Sequence, residues 1–260
     1  MARCCALSLI LCCVAVATEA SVLRYEGEAV DPDSGAVLYH ETHYLETTAR
    51  QPRQRLVLYR CAGSEAVFAR KRVRYGAQAE RPQFELEDAR AGYREGLRQP
   101  DGADAVAYVQ RGSERERTGA LPAQRDFVAD AGFDEFVKRH WDRLQAGEAV
   151  ALEFLVPADL GTMALKIRRH RDERIDGRDA SVIRLSLGAW WGFIAPHIDA
   201  AYDRQTRTLL RYQGISNLRG EDGRNLEVRI DFPARSRQPS DAASFATAAG
   251  LSLAGACLGA

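Results

Sequence analysis

From Val22 to about Tyr108 apolar and polar side chains alternate with a period of two, and runs of turn residues interrupt the alternation at short intervals. A strand sends successive side chains to opposite faces, so this pattern is that of half-buried strands joined as antiparallel hairpins. Residues 22–30 and 36–46 flank Asp31-Pro32-Asp33-Ser34-Gly35, where Pro presets φ and Gly supplies a positive one. Residues 55–61 and 66–75 form a second pair across Gly63-Ser64. Residues 83–87 follow with Phe84 and Leu86 inward, and 93–97 and 105–109 complete the half around Gln99-Pro100-Asp101-Gly102.

Residues 112–129 are charged and broken by Pro122, which reads as a loop. Behind it Phe133, Phe136, Val137, Trp141 and Leu144 fall on one face of a helix over about 132–146. Asp130 fits its cap, Asp134 and Glu135 its first turn, and Gly147 its end. Strands then resume at 149–156, 163–171, 181–187, 198–202, 207–213 and 226–232 with short connections. About a dozen strands with one helix leave no crossover segments for a parallel sheet. The expected fold is mainly β: a long antiparallel meander forming a curved sheet or half-barrel packed on that helix. Tyr25 to Tyr39 and Tyr202 to Tyr212 also echo each other as strand, Asp-led turn and strand, a pattern on which hairpins converge easily.

Both ends look separate from this body. Arg3 precedes an uncharged run from Cys4 to Thr18, long enough for a signal peptide and too short to span a bilayer. Cleavage would follow Ala17 or Ala20, which makes residues 1–20 a signal and 21–233 a single domain. Neither Cys4 nor Cys12 follows a small residue, which argues against lipidation. The signal carries four of the six cysteines and leaves Cys61 and Cys257. One bridge between them is conceivable in an oxidising compartment, but the expectation is a buried, unpaired Cys61 and a weakly structured Ala/Ser/Gly-rich tail over 234–260. No integral membrane span is expected in the mature chain.

The 36 basic residues balance 36 acidic ones, which removes the electrostatic case for nucleic acid. Three of the basic residues are lysines (Lys71, Lys138, Lys166); their rarity suggests genome composition before function. In His40-Glu41-Thr42-His43 the histidines are three apart on a strand and face opposite ways, so no metal site is expected there. The basic run Arg168-Arg169-His170-Arg171 is answered at once by Asp172-Glu173. No serine or cysteine nucleophile motif and no phosphate loop is present, so no catalytic residue and no cofactor is assigned. The unusual segment is Gly188-Ala189-Trp190-Trp191-Gly192-Phe193-Ile194-Ala195-Pro196-His197-Ile198, aromatic where connections are normally polar. It could tuck into the core, line an apolar ligand cavity, or meet a membrane or partner.

The plan of signal, meander and single helix, with the Tyr202 to Gly214 turn and Val228-Arg229-Ile230-Asp231-Phe232-Pro233, resembles uncharacterised exported proteins of Gram-negative bacteria. It is distantly similar to the half-barrel lipoprotein carriers of the periplasm, in which a curved antiparallel sheet closed by helices holds acyl chains. The resemblance implies an apolar, lipid-like ligand; taken with the signal and the aromatic segment, the leading expectation is a periplasmic or secreted, non-enzymatic protein with Trp190, Trp191, Phe193 and Ile194 near the mouth of its cavity. Two other classes compete: an envelope hydrolase using dispersed carboxylates or His197, and a partner-binding envelope protein.

Overall fold

The computed structural model describes residues 20–99, 103–187, 197–220 and 222–257. The expected signal up to residue 19, and Trp190, Trp191, Phe193 and Ile194, lie outside the described residues.

Eight strands run as successive hairpins on one side: β1 (Ser21–Val30), β2 (Val37–Thr48), β3 (Gln51–Cys61), β4 (Val67–Arg74), β5 (Gln83–Asp88), β6 (Tyr93–Arg98), β7 (Ala105–Arg111) and β8 (Arg117–Leu121). Six more run on the other: β9 (Ala149–Val156), β10 (Gly161–Ile175), β11 (Arg178–Leu187), β12 (Ile198–Asp203), β13 (Leu209–Arg219) and β14 (Asn225–Asp231). The order in space is β8 to β1 and then β14 to β9, so two meanders meet where Ala29 pairs with Ile230. The result is one curved antiparallel sheet that is not closed into a barrel.

Its hairpins follow the turn chemistry of the sequence. The Asp31 carboxylate accepts from the Ser34 N–H at 2.7 Å, and Gly35 takes φ 73°. In the echoed turn the Asp203 carboxylate accepts from the Thr206 N–H at 2.8 Å, and Arg207 holds φ 57° in the place of the glycine. β8 lies inside the stretch that reads as a loop: its residues are mostly exposed, so period-two burial leaves no trace in its sequence.

The chain between β8 and β9 links the turn before β5, where the Ala129 N–H donates to the Glu80 carbonyl at 3.0 Å, to the edge of β9. Val128 donates to the Glu153 carbonyl at 2.8 Å and accepts from the Leu155 N–H at 2.9 Å, a short parallel bridge on the edge of β9. The apolar stripe then meets the sheet as expected, with Phe136, Val137, Trp141 and Leu144 buried against β9 to β12. The helix is two segments, however: α1 (Gly132–Arg139) and α2 (Trp141–Gln145), with a local unwinding at His140, φ −96° and ψ 13°. Hydrogen bonds carry through it, His140 N–H to Phe136 O at 3.1 Å and Leu144 N–H to His140 O at 3.0 Å, so the buried face stays continuous.

The C-terminal segment departs from expectation. It forms β15 (Gln238–Ser240), paired with β1, and α3 (Ala242–Ala249), whose N-terminus is capped by Asp241 accepting from the Ser244 N–H at 2.7 Å. Phe245 and Ala248 of α3 cover Tyr44, Leu56, Leu58 and Val67 on the outer face of the sheet. Arg70 donates to the carbonyls of Ala249 and Leu251 at 3.0 and 2.8 Å. Cys61 and Cys257 are joined in a disulfide, so the expectation of an unpaired Cys61 is also corrected. Small residues look unable to bury surface, yet they let this helix sit close to a sheet that is apolar on both faces in β3.

Candidate functional site

The concave face of the sheet carries ionisable side chains in an otherwise apolar row. Cross-strand pairing aligns Tyr25 of β1, His43 of β2, Val57 of β3, Lys71 of β4, Leu86 of β5 and Glu95 of β6. Directly paired residues share a face, so Lys71 and Glu95 point the same way as Val57 and Leu86. Glu41 stands two residues before His43 and therefore also faces inward. Opposite Glu41 is Gly27, where a Cβ would lie 2.6 Å from the Phe232 ring; the missing side chain admits that ring beside Tyr25 and His43.

The two cations have defined partners. Lys71 Nζ lies 2.8 Å from Asp130 Oδ2, and Arg55 lies 3.0 Å from Asp134 Oδ2, whose other oxygen accepts from the Tyr202 hydroxyl at 2.9 Å. Burial works against the charges of Lys71 and Asp134. Asp130 nonetheless holds the Lys71 amine above its ordinary value, and Arg55, Lys138 and Tyr202 hold the Asp134 carboxyl below its own. Glu95 accepts from the Tyr93 hydroxyl at 2.6 Å and from Asn217 at 3.0 Å, and burial raises its pKa.

His43 is the exception. Its Nε2 is 2.7 Å from Glu41 Oε2, and its ring stacks on Tyr25 with centroids 4.5 Å apart. Burial lowers its pKa against the pull of Glu41. A neutral ring whose Nε2–H donates to the carboxylate leaves Nδ1 as an acceptor, and this buried Nδ1 has no hydrogen-bond partner among the described residues.

Two adjoining cavities occupy the concavity. One, of about 220 Å³, is lined at its polar end by Glu41, His43, Arg55, Lys71, Asp130 and Asp134. The other, of about 440 Å³, has an apolar wall that includes Leu155, Met163, Leu165 and Leu187. They share Asp130, Phe154, Leu185, Ile198, Ile215, Ser216 and Asn217, so they form one chamber, with the charged cluster at one end and the apolar wall, beside Glu95 and Arg219, at the other. Four large apolar side chains are exposed among the described residues, and two of them, Met163 and Ile215, stand on this wall. The exposed residues of this lining are therefore mixed, Met163 and Ile215 beside His197 and Asn225.

The residues flagged by sequence fall unevenly on this site. Leu187 and His197, which flank the segment carrying Trp190, Trp191, Phe193 and Ile194, both line the larger cavity. His197 itself is exposed and does not line the smaller cavity that holds Glu41 and His43. Asp130 is not the helix cap: Ala131 holds that position, and Asp130, at φ 43°, turns its carboxylate to Lys71. Sequence reading missed Glu41, Lys71, Glu95 and Asp134. A signal was available, because Lys71 shares the phase of Ala69 and Val73, and Glu95 that of Tyr93 and Leu97; a charge in the apolar phase of a strand has to be answered inside. No group of three or more metal-ligating side chains occurs among the described residues.

No protein-family model and no curated protein matches the chain. Among solved structures it is similar to a beta-barrel-like protein of domain of unknown function DUF1849 from Brucella abortus. Identity there is 9% over 85% of this chain and 97% of that one, with a TM-score of 0.47. A DUF1329 family protein from Desulfovibrio piger is similar at 11% identity over 84% of this chain and 85% of that one, with a TM-score of 0.28. Neither likeness bears on function.

Proposed function

We propose that this protein binds an amphiphilic, lipid-like molecule inside the half-barrel, its chain along the apolar wall and its head at the buried charged end. The chamber carries this reading: an apolar wall leads to a set of buried ionisable groups, which is the polarity profile of such a molecule. Burial of the chain would supply affinity at about 25 cal/mol per Å² of apolar surface. Trp190, Trp191, Phe193 and Ile194 are proposed at the mouth, since both residues that flank their segment line the cavity. Export to the periplasm or beyond is proposed with it, supported by the leader-like N-terminus and by the Cys61–Cys257 disulfide, a bond that persists in oxidising compartments. Titration with single-chain detergents below their micelle concentration tests the binding. Saturable changes in tryptophan emission are expected, and no saturable response across chain lengths would count against the reading.

A second reading has one observation in its favour. Glu41 and His43 make a carboxylate–imidazole pair on the cavity wall, the arrangement of a general base. Ser216 lies on the same wall but its Oγ is engaged with the Tyr39 hydroxyl at 3.2 Å. Hydrolysis of short acyl esters that disappears in His43→Gln would favour an envelope hydrolase; no turnover by the wild type would remove it.

A further inference from the structure

The polar end of the chamber has a sign. Two of the three carboxylates on the smaller cavity are each matched by one cation, Asp130 by Lys71 and Asp134 by Arg55. The third, Glu41, has the uncharged His43 as its only ion-pair neighbour among the described residues. The lining therefore carries one negative charge in excess, with Glu41 itself 5% exposed. Two buried polar atoms of these lining residues have no partner among the described residues, the acceptor Nδ1 of His43, a residue 6% exposed, and the donor Nε of Arg55, whose guanidinium is already committed to Asp134. Aromatic rings of Tyr59, Tyr202, Tyr212 and Phe232 complete the lining. A negative excess, an unused acceptor and aromatic faces all complement a positively charged donor.

We propose that the head group taken at this end is a protonated amine, donating to His43 Nδ1 and balancing Glu41. The proposal rests on the chamber holding an amphiphile and specifies that molecule's head. An anionic head could reach Arg55 Nε but would meet the Glu41 carboxylate, which no cation offsets, and would find no donor at Nδ1. A quaternary ammonium would answer the charge but leave Nδ1 unpaired, because it has no N–H. Those two differences separate charge from hydrogen bonding without any change to the protein.

The test is displacement of a neutral fluorescent amphiphile from the full chain at pH 7 by four probes of equal chain length: dodecylamine, dodecyltrimethylammonium, dodecanol and dodecanoate. Dodecylamine is protonated at this pH. It is expected to bind about tenfold tighter than dodecanoate, with the trimethyl compound between them, the size of effect that one buried charge-assisted hydrogen bond produces. In Glu41→Gln, checked for folding by circular dichroism, the preference for amine over carboxylate should fall to about threefold or less. Dodecanoate binding as tightly as dodecylamine, or an equal preference in Glu41→Gln, would overturn the proposal and leave the amphiphile reading standing. Equal binding of the trimethyl compound would overturn the role of Nδ1. Failure of all four probes to displace would instead remove the chamber reading on which the proposal rests.

Discussion

Lys71 Nζ lies 2.8 Å from Asp130 Oδ2, which bonds the fourth strand to the residue that turns the chain into α1. The Asp130 side chain is 6% exposed and holds a left-handed backbone, φ 43°. Removing one partner of such a pair leaves a buried charge uncompensated. Lys71→Met should therefore lower stability by about 3 kcal/mol, read from the urea midpoint. Lys71→Met combined with Asp130→Asn should recover part of that loss, since asparagine tolerates the left-handed region and carries no charge.

The disulfide closes a loop of 196 residues between Cys61 and Cys257. A cross-link of that span constrains the unfolded chain strongly, with an upper range of about 5 kcal/mol. Cys257→Ser should lower the melting temperature and make the segment around α3 cleavable by protease, while β1 to β14 stay protected. Limited proteolysis followed by mass spectrometry checks both halves of this expectation.

The order of hairpins, the amphipathic stripe and the inward phase of most strands are legible in the sequence because each rests on a local period or a local turn. Asp31 and Asp203 show this best: similar residue patterns build the same turn. What could not be read is non-local. Cys61 meets Cys257, and Lys71 meets Asp130, across chain distances for which no period exists. Asp130 and Asp134 satisfy the local rules for a cap and a first turn, and those rules mask their buried ion pairs. Glu41 and His43 are neighbours through a spacing of two, whereas attention to the two histidines, three apart, points away from it.

Acid should destabilise the protein in a step that His43 contributes to. Burial lowers its folded pKa below the unfolded value of 6.5, so its contribution is intact above that pH and is lost as pH falls through it toward the folded value. His140 and His170 are shifted the same way, and Asp134 acts likewise at lower pH. Glu95, raised by burial, runs oppositely: its contribution is present at low pH and lost as pH rises through its folded pKa. His43→Gln should flatten, without abolishing, the fall in stability between about pH 7 and pH 5, measured by urea denaturation at several pH values.

Gly132 opens α1, where alanine would normally gain about 1 kcal/mol in helix propensity. Here a Cβ would collide with the Glu80 carbonyl oxygen, which is backbone and cannot swing away. Gly132→Ala is expected to lower thermal stability, against the propensity rule. An increase in melting temperature would show that α1 is not pressed on this segment.

The chamber itself is tested most directly by filling it. Leu185 is 5% exposed and lines both cavities, so Leu185→Trp places an indole where the apolar chain is proposed to lie. Equilibrium binding of a fluorescent single-chain amphiphile should be saturable in the wild type and weakened about tenfold or more in the folded variant. Equal affinity in the two proteins, or no saturable binding by the wild type, would contradict a ligand held inside the half-barrel.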